Sequence, residues 1–292
     1  MKSNCTSGRL FVLCLVAVLA LPATGRAAKL PRPDHVVVVI EENKSFDQII
    51  ARSVMLKPAA PDINVLAGQG ALFTNSHALV HPSQPNYLAL FSGSTHGVRD
   101  DRCPLELSGP NLASALLGRG LSFATYSESM PVTGFRGCFS DDRLYARKHN
   151  PAANWSRLPA AVNLRFADFP VDYSRLPTIA LVIPNQLNDM HDGPAEEAIR
   201  RGDAWLEANL ERYVRWAKSH NSLLILTWDE DDFSSENRIP TLFVGPMVRP
   251  GRYAARIDHY GVLRTLTDMY GLPAPGEAAG SVPIAGVWKI AE

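Results

Sequence analysis

The feature that most constrains this 292-residue chain is a series of short apolar runs, each about the length of a buried strand. They occupy residues 36–40, 121–126, 178–183, 223–227 and 240–244. Unbroken apolar runs of this length fit strands covered on both faces. Helical stretches lie between them at 111–117, about 195–219 and 260–270; the first ends at Gly118, and the last ends at Gly271 ahead of Pro273. Strands alternating with helices predict an α/β fold with a mostly parallel sheet sandwiched between two helical layers.

In sheets of this kind chemistry gathers beyond the C-terminal ends of the strands. Polar clusters follow three of the runs directly: Glu41-Glu42-Asn43, the segment from Asn185 to Asp192, and Asp229-Glu230-Asp231-Asp232. Four adjacent carboxylates at the end of a buried strand repel one another unless a cation neutralises them. Oxygen donors of this type suit a hard divalent ion. On a solvated loop the same run would be no more than surface charge.

The N-terminus reads as a segment apart. Lys2 and Arg9 precede an apolar stretch at 10–21, and Gly25-Arg26-Ala27 gives a small-x-small end. This is the pattern of a secretory signal peptide over residues 1–27, with a single domain over 28–292. The apolar stretch is short for a membrane span, although an uncleaved anchor is the alternative. Without Lys2, Arg9 and Arg26 the chain keeps 26 basic and 29 acidic side chains, a net charge of −3. That balance excludes an electrostatic footprint for nucleic acid. The expected location is periplasmic or extracellular, with no stable membrane insertion after cleavage. Export permits oxidation, and Cys103 and Cys138 are the two cysteines that follow the signal, the right number for one disulfide. Two free thiols are the alternative.

Several side chains could carry chemistry. In His81-Pro82-Ser83-Gln84-Pro85-Asn86-Tyr87 the second proline suits a first helical turn. Ser83 then sits just before a helix N-terminus, where backbone N–H groups favour an anion. A plain N-cap is the competing explanation. His191, flanked by Asp189 and Asp192, and His259 after Asp258 are candidate proton carriers. Asp203 falls in the apolar stripe formed by Ile199, Leu206, Leu210, Tyr213 and Ala217, so it needs a partner. That partner is either an active-site group or a local hydrogen bond. Residues 128–175, irregular and rich in Arg, Asn, Pro and aromatics, read as a long excursion over the active face.

Taken in order, these blocks resemble the bacterial acid phosphatase and phospholipase C phosphoesterase family of the alkaline-phosphatase superfamily. The resemblance rests on Glu42-Asn43-Lys44-Ser45-Phe46-Asp47, the segment from His81 to Tyr87 with Ser92-Gly93, and Asn188-Asp189-Met190-His191-Asp192-Gly193. It continues through Gly202-Asp203-Ala204-Trp205-Leu206, Thr227-Trp228-Asp229-Glu230, Asn237-Arg238-Ile239-Pro240 and Asp258-His259-Tyr260. It covers roughly residues 34–272, and it implies an alkaline-phosphatase-like sandwich.

The resemblance implies that Glu42, Asn43, Ser83, Asp229 and Glu230 hold a divalent metal, with one ion (Ca, Mg, Mn or Zn) favoured over two. Ser83 would be the nucleophile. Asn43, His191 and His259 would bind phosphate oxygens, and a histidine would protonate the leaving group. Asp189, Asp192 and Asp203 would stand behind them. The phospholipase C branch carries more chain beyond the shared core, and little follows Pro273 here. A phosphomonoesterase acting on a small phosphate ester through a phosphoserine is therefore expected ahead of a phospholipase C-type phosphodiesterase. A non-catalytic binding protein on the same scaffold is the third reading, and the intact set of Ser83, carboxylates and histidines argues against it.

Overall fold

The structure is a computed structural model that describes residue 1 and residues 30–50 and 58–289. Apart from Met1, the expected signal peptide lies outside the described residues. The strands are β1 (His35–Glu41), β2 (Ala71–His77), β3 (Phe123–Ser127), β4 (Asn163–Arg165), β5 (Ile179–Ile183), β6 (Ser222–Trp228), β7 (Arg238–Val244), β8 (Gly251–Tyr253) and β9 (Ile257–Asp258). The helices are α1 (Phe46–Ile49), α2 (Pro61–Gln69), α3 (Ser83–Ser92), α4 (Leu112–Leu117), α5 (Ala195–Ala217) and α6 (His259–Met269).

The strands form one sheet in the order β4-β3-β5-β1-β6-β7-β2-β8, with β9 also paired to β2. The block β4-β3-β5-β1-β6 is parallel. β7 is antiparallel to both its neighbours. Because side chains alternate along a strand, β1 feeds two cores. Val36, Val38 and Ile40 pack with Leu88 and Phe91 of α3, Leu116 of α4 and Leu263 of α6. Val37 and Val39 pack with Phe46 of α1, Ile63 of α2 and Leu206, Leu210 and Tyr213 of α5. This is the three-layer α/β/α arrangement read from the sequence, built on a mixed, mostly parallel sheet.

The five apolar runs coincide with β1, β3, β5, β6 and β7, and the three helical stretches with α4, α5 and α6, within two residues at each end. β2 was not foreseen. Its sequence ALFTNSH has no continuous apolar run. The excursion at 128–175 is not all loop, since β4 within it pairs with β3. Cys103 and Cys138 are joined in a disulfide, with 5.8 Å between their Cα atoms. The bond ties the segment following α3 to the excursion.

Candidate active site

Strand order decides where the polar clusters meet. β5, β1 and β6 are consecutive neighbours and parallel. Their three C-terminal clusters therefore emerge side by side. The main chain locks this edge: the Glu42 N–H donates to the Asp189 carbonyl at 2.7 Å, and the Asp229 N–H donates to the Glu41 carbonyl at 2.9 Å. Asn43 turns the chain away from β1 with a φ of 55°, a left-handed conformation that asparagine tolerates better than most residues. Its N–H reaches Asp229 Oδ1 at 3.1 Å.

Helix α3 brings the serine. Ser83 is its first residue and Pro82 its N-cap, so the helix starts slightly earlier than the position of Pro85 suggested. Asn86 braces the preceding turn: its Oδ1 accepts from the Leu79 and Val80 N–H groups, and its Nδ2 donates to the Val80 carbonyl at 2.7 Å. α3 ends at Gly93 with a φ of 68°. A Cβ there would lie 2.0 Å from the Pro275 carbonyl oxygen. Ser83 does not act as an N-cap. Its hydroxyl donates to Glu42 Oε2 at 3.0 Å and lies 3.4 Å from Glu230 Oε1. One helical turn on, Tyr87 donates to Glu42 Oε1 at 2.5 Å.

The carboxylate run divides its work. Asp229 and Glu230 are buried in the site, whereas Asp231 organises the following loop by accepting from the Phe233, Ser235 and Asn237 N–H groups. His81 lies between the two groups, with Nδ1 2.9 Å from Glu230 Oε2 and Nε2 3.2 Å from Asp231 Oδ1. His259 opens α6, and its Nε2 donates to the Asp229 carbonyl at 2.7 Å.

The cluster after β5 is held from below. Glu128 accepts from the Asn185 N–H, from Asn188 Nδ2 and from the Trp205 indole of α5. Gly202 lets α5 approach closely, since a Cβ there would lie 2.6 Å from Met190 Cγ. Asp189 Oδ1 accepts from the His191 N–H at 2.8 Å. His191 Nδ1 sits 2.7 Å from exposed Asp192. Asp203, by contrast, serves the fold. Its two oxygens accept from the Asp62 and Ile63 N–H groups in the first turn of α2, at 3.1 and 2.8 Å. These bonds join α5 to α2 across about 140 residues of sequence.

Sequence reasoning missed two neighbours from the excursion. His149 is buried, with Nε2 3.3 Å from Glu42 Oε1 and Nδ1 3.4 Å from Asp189 Oδ2. Lys148 reaches Asp101 Oδ2 at 2.9 Å and His191 Nε2 at 3.3 Å. Both stand in an irregular stretch with no periodic signal. Tyr87 was findable, because it lies four residues after Ser83 on the same helical face.

The electrostatics are those of anions crowded out of water. Burial, then Asp229, raises the Glu42 pKa well above the usual carboxylate range. Burial likewise raises Asp189 well above its ordinary value. It pushes Asp229 up to about 6 and, with the Asp229 charge, Glu230 up to about 9. Burial lowers the pKa of His149, His191 and His259, favouring neutral imidazoles. Burial also works against the Lys148 charge, but Glu42, Asp101 and Asp229 outweigh it and raise its pKa.

Three buried oxygens aimed among these groups have no hydrogen-bond donor: Asn43 Oδ1, Asp189 Oδ2 and Asp229 Oδ2. Buried acceptors without donors, amid mutually repelling carboxyls, fit a hard divalent cation. Glu42, His149 and His191 also bring ligand atoms within 4.8 Å of one another, a second set of donors beside the first.

Known proteins with this sequence and fold bear on the chemistry. The profile of the Phosphoesterase family matches residues 51–273. A phosphatidylinositol-3-phosphatase from Mycobacterium tuberculosis is 47% identical over 92% of this chain and 88% of its own. An acid phosphatase from Aspergillus fumigatus is 30% identical over 79% of this chain and 56% of its own. A protein of the alkaline phosphatase superfamily from Vibrio parahaemolyticus superposes with a TM-score of 0.58 at 14% identity, covering 88% of this chain and 71% of its own. At that identity the superposition speaks for the fold. The chain belongs to the Phosphoesterase family and is a hydrolase of phosphate esters with the alkaline-phosphatase-superfamily fold.

Proposed function

We propose that this chain is an exported, divalent-metal-dependent phosphomonoesterase working through a phosphoserine on Ser83. One observation carries the reading: the buried Ser83 hydroxyl, at the start of α3, contacts both Glu42 and Glu230 beside oxygens that lack donors. Glu42, Asn43, Ser83, Asp229 and Glu230 would hold the ion. A divalent ion held by them supplies positive charge that lowers the serine pKa and offsets charge developing on the phosphoryl group. Ser83 Oγ would form the new O–P bond as the bond to the leaving oxygen breaks; water would then hydrolyse the phosphoserine. Asn43 and the Ser83 N–H at the start of α3 would take phosphoryl oxygens. His191, held through Nδ1 by Asp192, would protonate the leaving oxygen. His259, committed to the Asp229 carbonyl, would hold the end of β6 in place. Asp192 would orient the His191 ring, and Asp189 Oδ1 would hold the His191 main chain.

The name of the M. tuberculosis relative favours monoesters, inositol-lipid phosphates among them. The leader-like N-terminus and the disulfide favour export. The test is hydrolysis of p-nitrophenyl phosphate, phosphatidylinositol 3-phosphate and p-nitrophenyl phosphorylcholine, before and after chelation. Ser83→Ala is expected to lower monoester turnover by at least about 10³-fold, and acid-quenched wild type to carry phosphate on Ser83. Unchanged hydrolysis by Ser83→Ala would remove Ser83 from the mechanism. Faster cleavage of the choline diester would make the phospholipase C-type reading the correct one. Inactivity of the wild type with Ca, Mg, Mn and Zn alike would favour a binding protein. Crystals soaked with vanadate, read by anomalous scattering, would show whether an ion takes the first donor set, the Glu42–His149–His191 set, or both.

A further inference from the structure

Lys148 stands where the charge balance of the site needs it. Glu42, Asp189, Asp229 and Glu230 are four buried carboxyls, and one divalent ion offsets two negative charges. A phosphomonoester brings about two more near neutral pH, whereas a diester brings one. A further cation beside these groups favours entry of the dianion over the monoanion. Lys44, a nearby lysine, is buried, and its ammonium faces the Met190 and Asn43 carbonyls. Lys148 is held otherwise. Its side chain is 13% exposed, so it is largely shielded yet reachable. Asp101 anchors it at 2.9 Å, and the same Asp101 accepts from the Gln84 N–H in the first turn of α3 at 3.0 Å. The ammonium is thus tied to the helix that carries Ser83. On its other side lies His191 Nε2 at 3.3 Å. With His191 Nδ1 donating to Asp192, Nε2 is an acceptor, and Lys148 is its donor. An ammonium has three N–H groups, so one remains after these two contacts.

We infer that Lys148 is a substrate-binding residue, its ammonium taking a phosphoryl oxygen, and that it makes the site select phosphomonoester dianions over diesters. This rests on the phosphomonoesterase reading above and names the residue behind its substrate class.

The test compares p-nitrophenyl phosphate with methyl p-nitrophenyl phosphate, which shares the leaving group and carries one charge fewer, in wild type, Lys148→Gln and Lys148→Arg holoenzymes. Losing one charge-assisted contact to a dianion corresponds to about a tenfold to hundredfold fall in monoester kcat/KM. Lys148→Gln is expected to show that fall with a loss of about threefold or less on the methyl ester, while Lys148→Arg keeps most of the selectivity. The ratio of the two values within one variant does not depend on the folded fraction, so partial misfolding cannot mimic the result. Calorimetric titration with inorganic phosphate reads the same contact without turnover, and Lys148→Gln should bind it about tenfold or more weakly. Equal losses on both substrates, or unchanged phosphate affinity, would overturn the inference. Absence of monoesterase activity in the wild type would instead sink the reading on which it rests.

Discussion

Asp203→Ala separates stability from chemistry, because Asp203 sits in a block on which the family resemblance rests yet spends both oxygens on α2. The substitution removes two acceptors, at 2.8 Å from the Ile63 N–H and 3.1 Å from the Asp62 N–H. The Ile63 N–H is buried and would be left without a partner, which costs about 1–3 kcal/mol. Asp62 is half-buried, so its N–H can turn to water and adds less than about 1 kcal/mol. Removing a carboxyl whose own burial is unfavourable, with its pKa raised to about 6, returns part of this. The net expectation is about 2 kcal/mol, or a Tm lower by about 4–8 °C for a domain of this size. Asp203→Asn keeps one acceptor and should lose about half as much. The assay is differential scanning fluorimetry beside p-nitrophenyl phosphate kinetics on the folded fraction, where kcat/KM should stay within about twofold. An unchanged Tm with collapsed kcat/KM would refute the reasoning and return Asp203 to the active site.

Metal binding should release protons. The folded-state pKa values of Glu42, Asp229 and Glu230 are raised, so without a cation the folded protein holds protons that the unfolded chain has lost. Adding a divalent ion near pH 7 should expel them, and apparent affinity should rise with pH through the window from about 6 to about 9 given by Asp229 and Glu230. Calorimetry in buffers of different ionisation enthalpy measures the release; a pH-independent affinity would contradict the crowded-carboxylate picture. Replacing Cys103 and Cys138 by serine opens a bridge of sequence separation 35, at a cost of about 3–4 kcal/mol of unfolding free energy in urea. Loss of activity at denaturant concentrations below global unfolding would show that the bridge holds the Lys148–His149 segment against α3.

The sequence disclosed the parts of this molecule that local chemistry decides. β1, β5 and β6 are legible because burial on both faces demands unbroken apolar runs, and the acidic clusters are legible because they follow those runs at once. That the three strands are neighbours is a property of chain crossing, which no local pattern encodes. β2 stayed hidden because Thr74, Asn75, Ser76 and His77 fill its second half. All four side chains are satisfied across the sheet or by a loop: Thr74 by the Tyr253 carbonyl, Asn75 by the Ala254 carbonyl, Ser76 by Thr241 and His77 by the Glu236 carbonyl. Lys148 and His149 escaped for a related reason. They lie in a run of 3₁₀ turns whose placement depends on distant contacts, such as Arg147 reaching the Leu105 and Arg136 carbonyls.

The meeting of Glu42, Ser83, His149, Asp189 and Asp229 at one strand edge has a temporal side. Separations of 41 residues between Glu42 and Ser83, and of 186 between Asn43 and Asp229, must close before the whole set gathers, and such topologies assemble slowly. A growing or clipped chain that stops at the end of β6 therefore lacks Asp229 and Glu230, and the set gathers late.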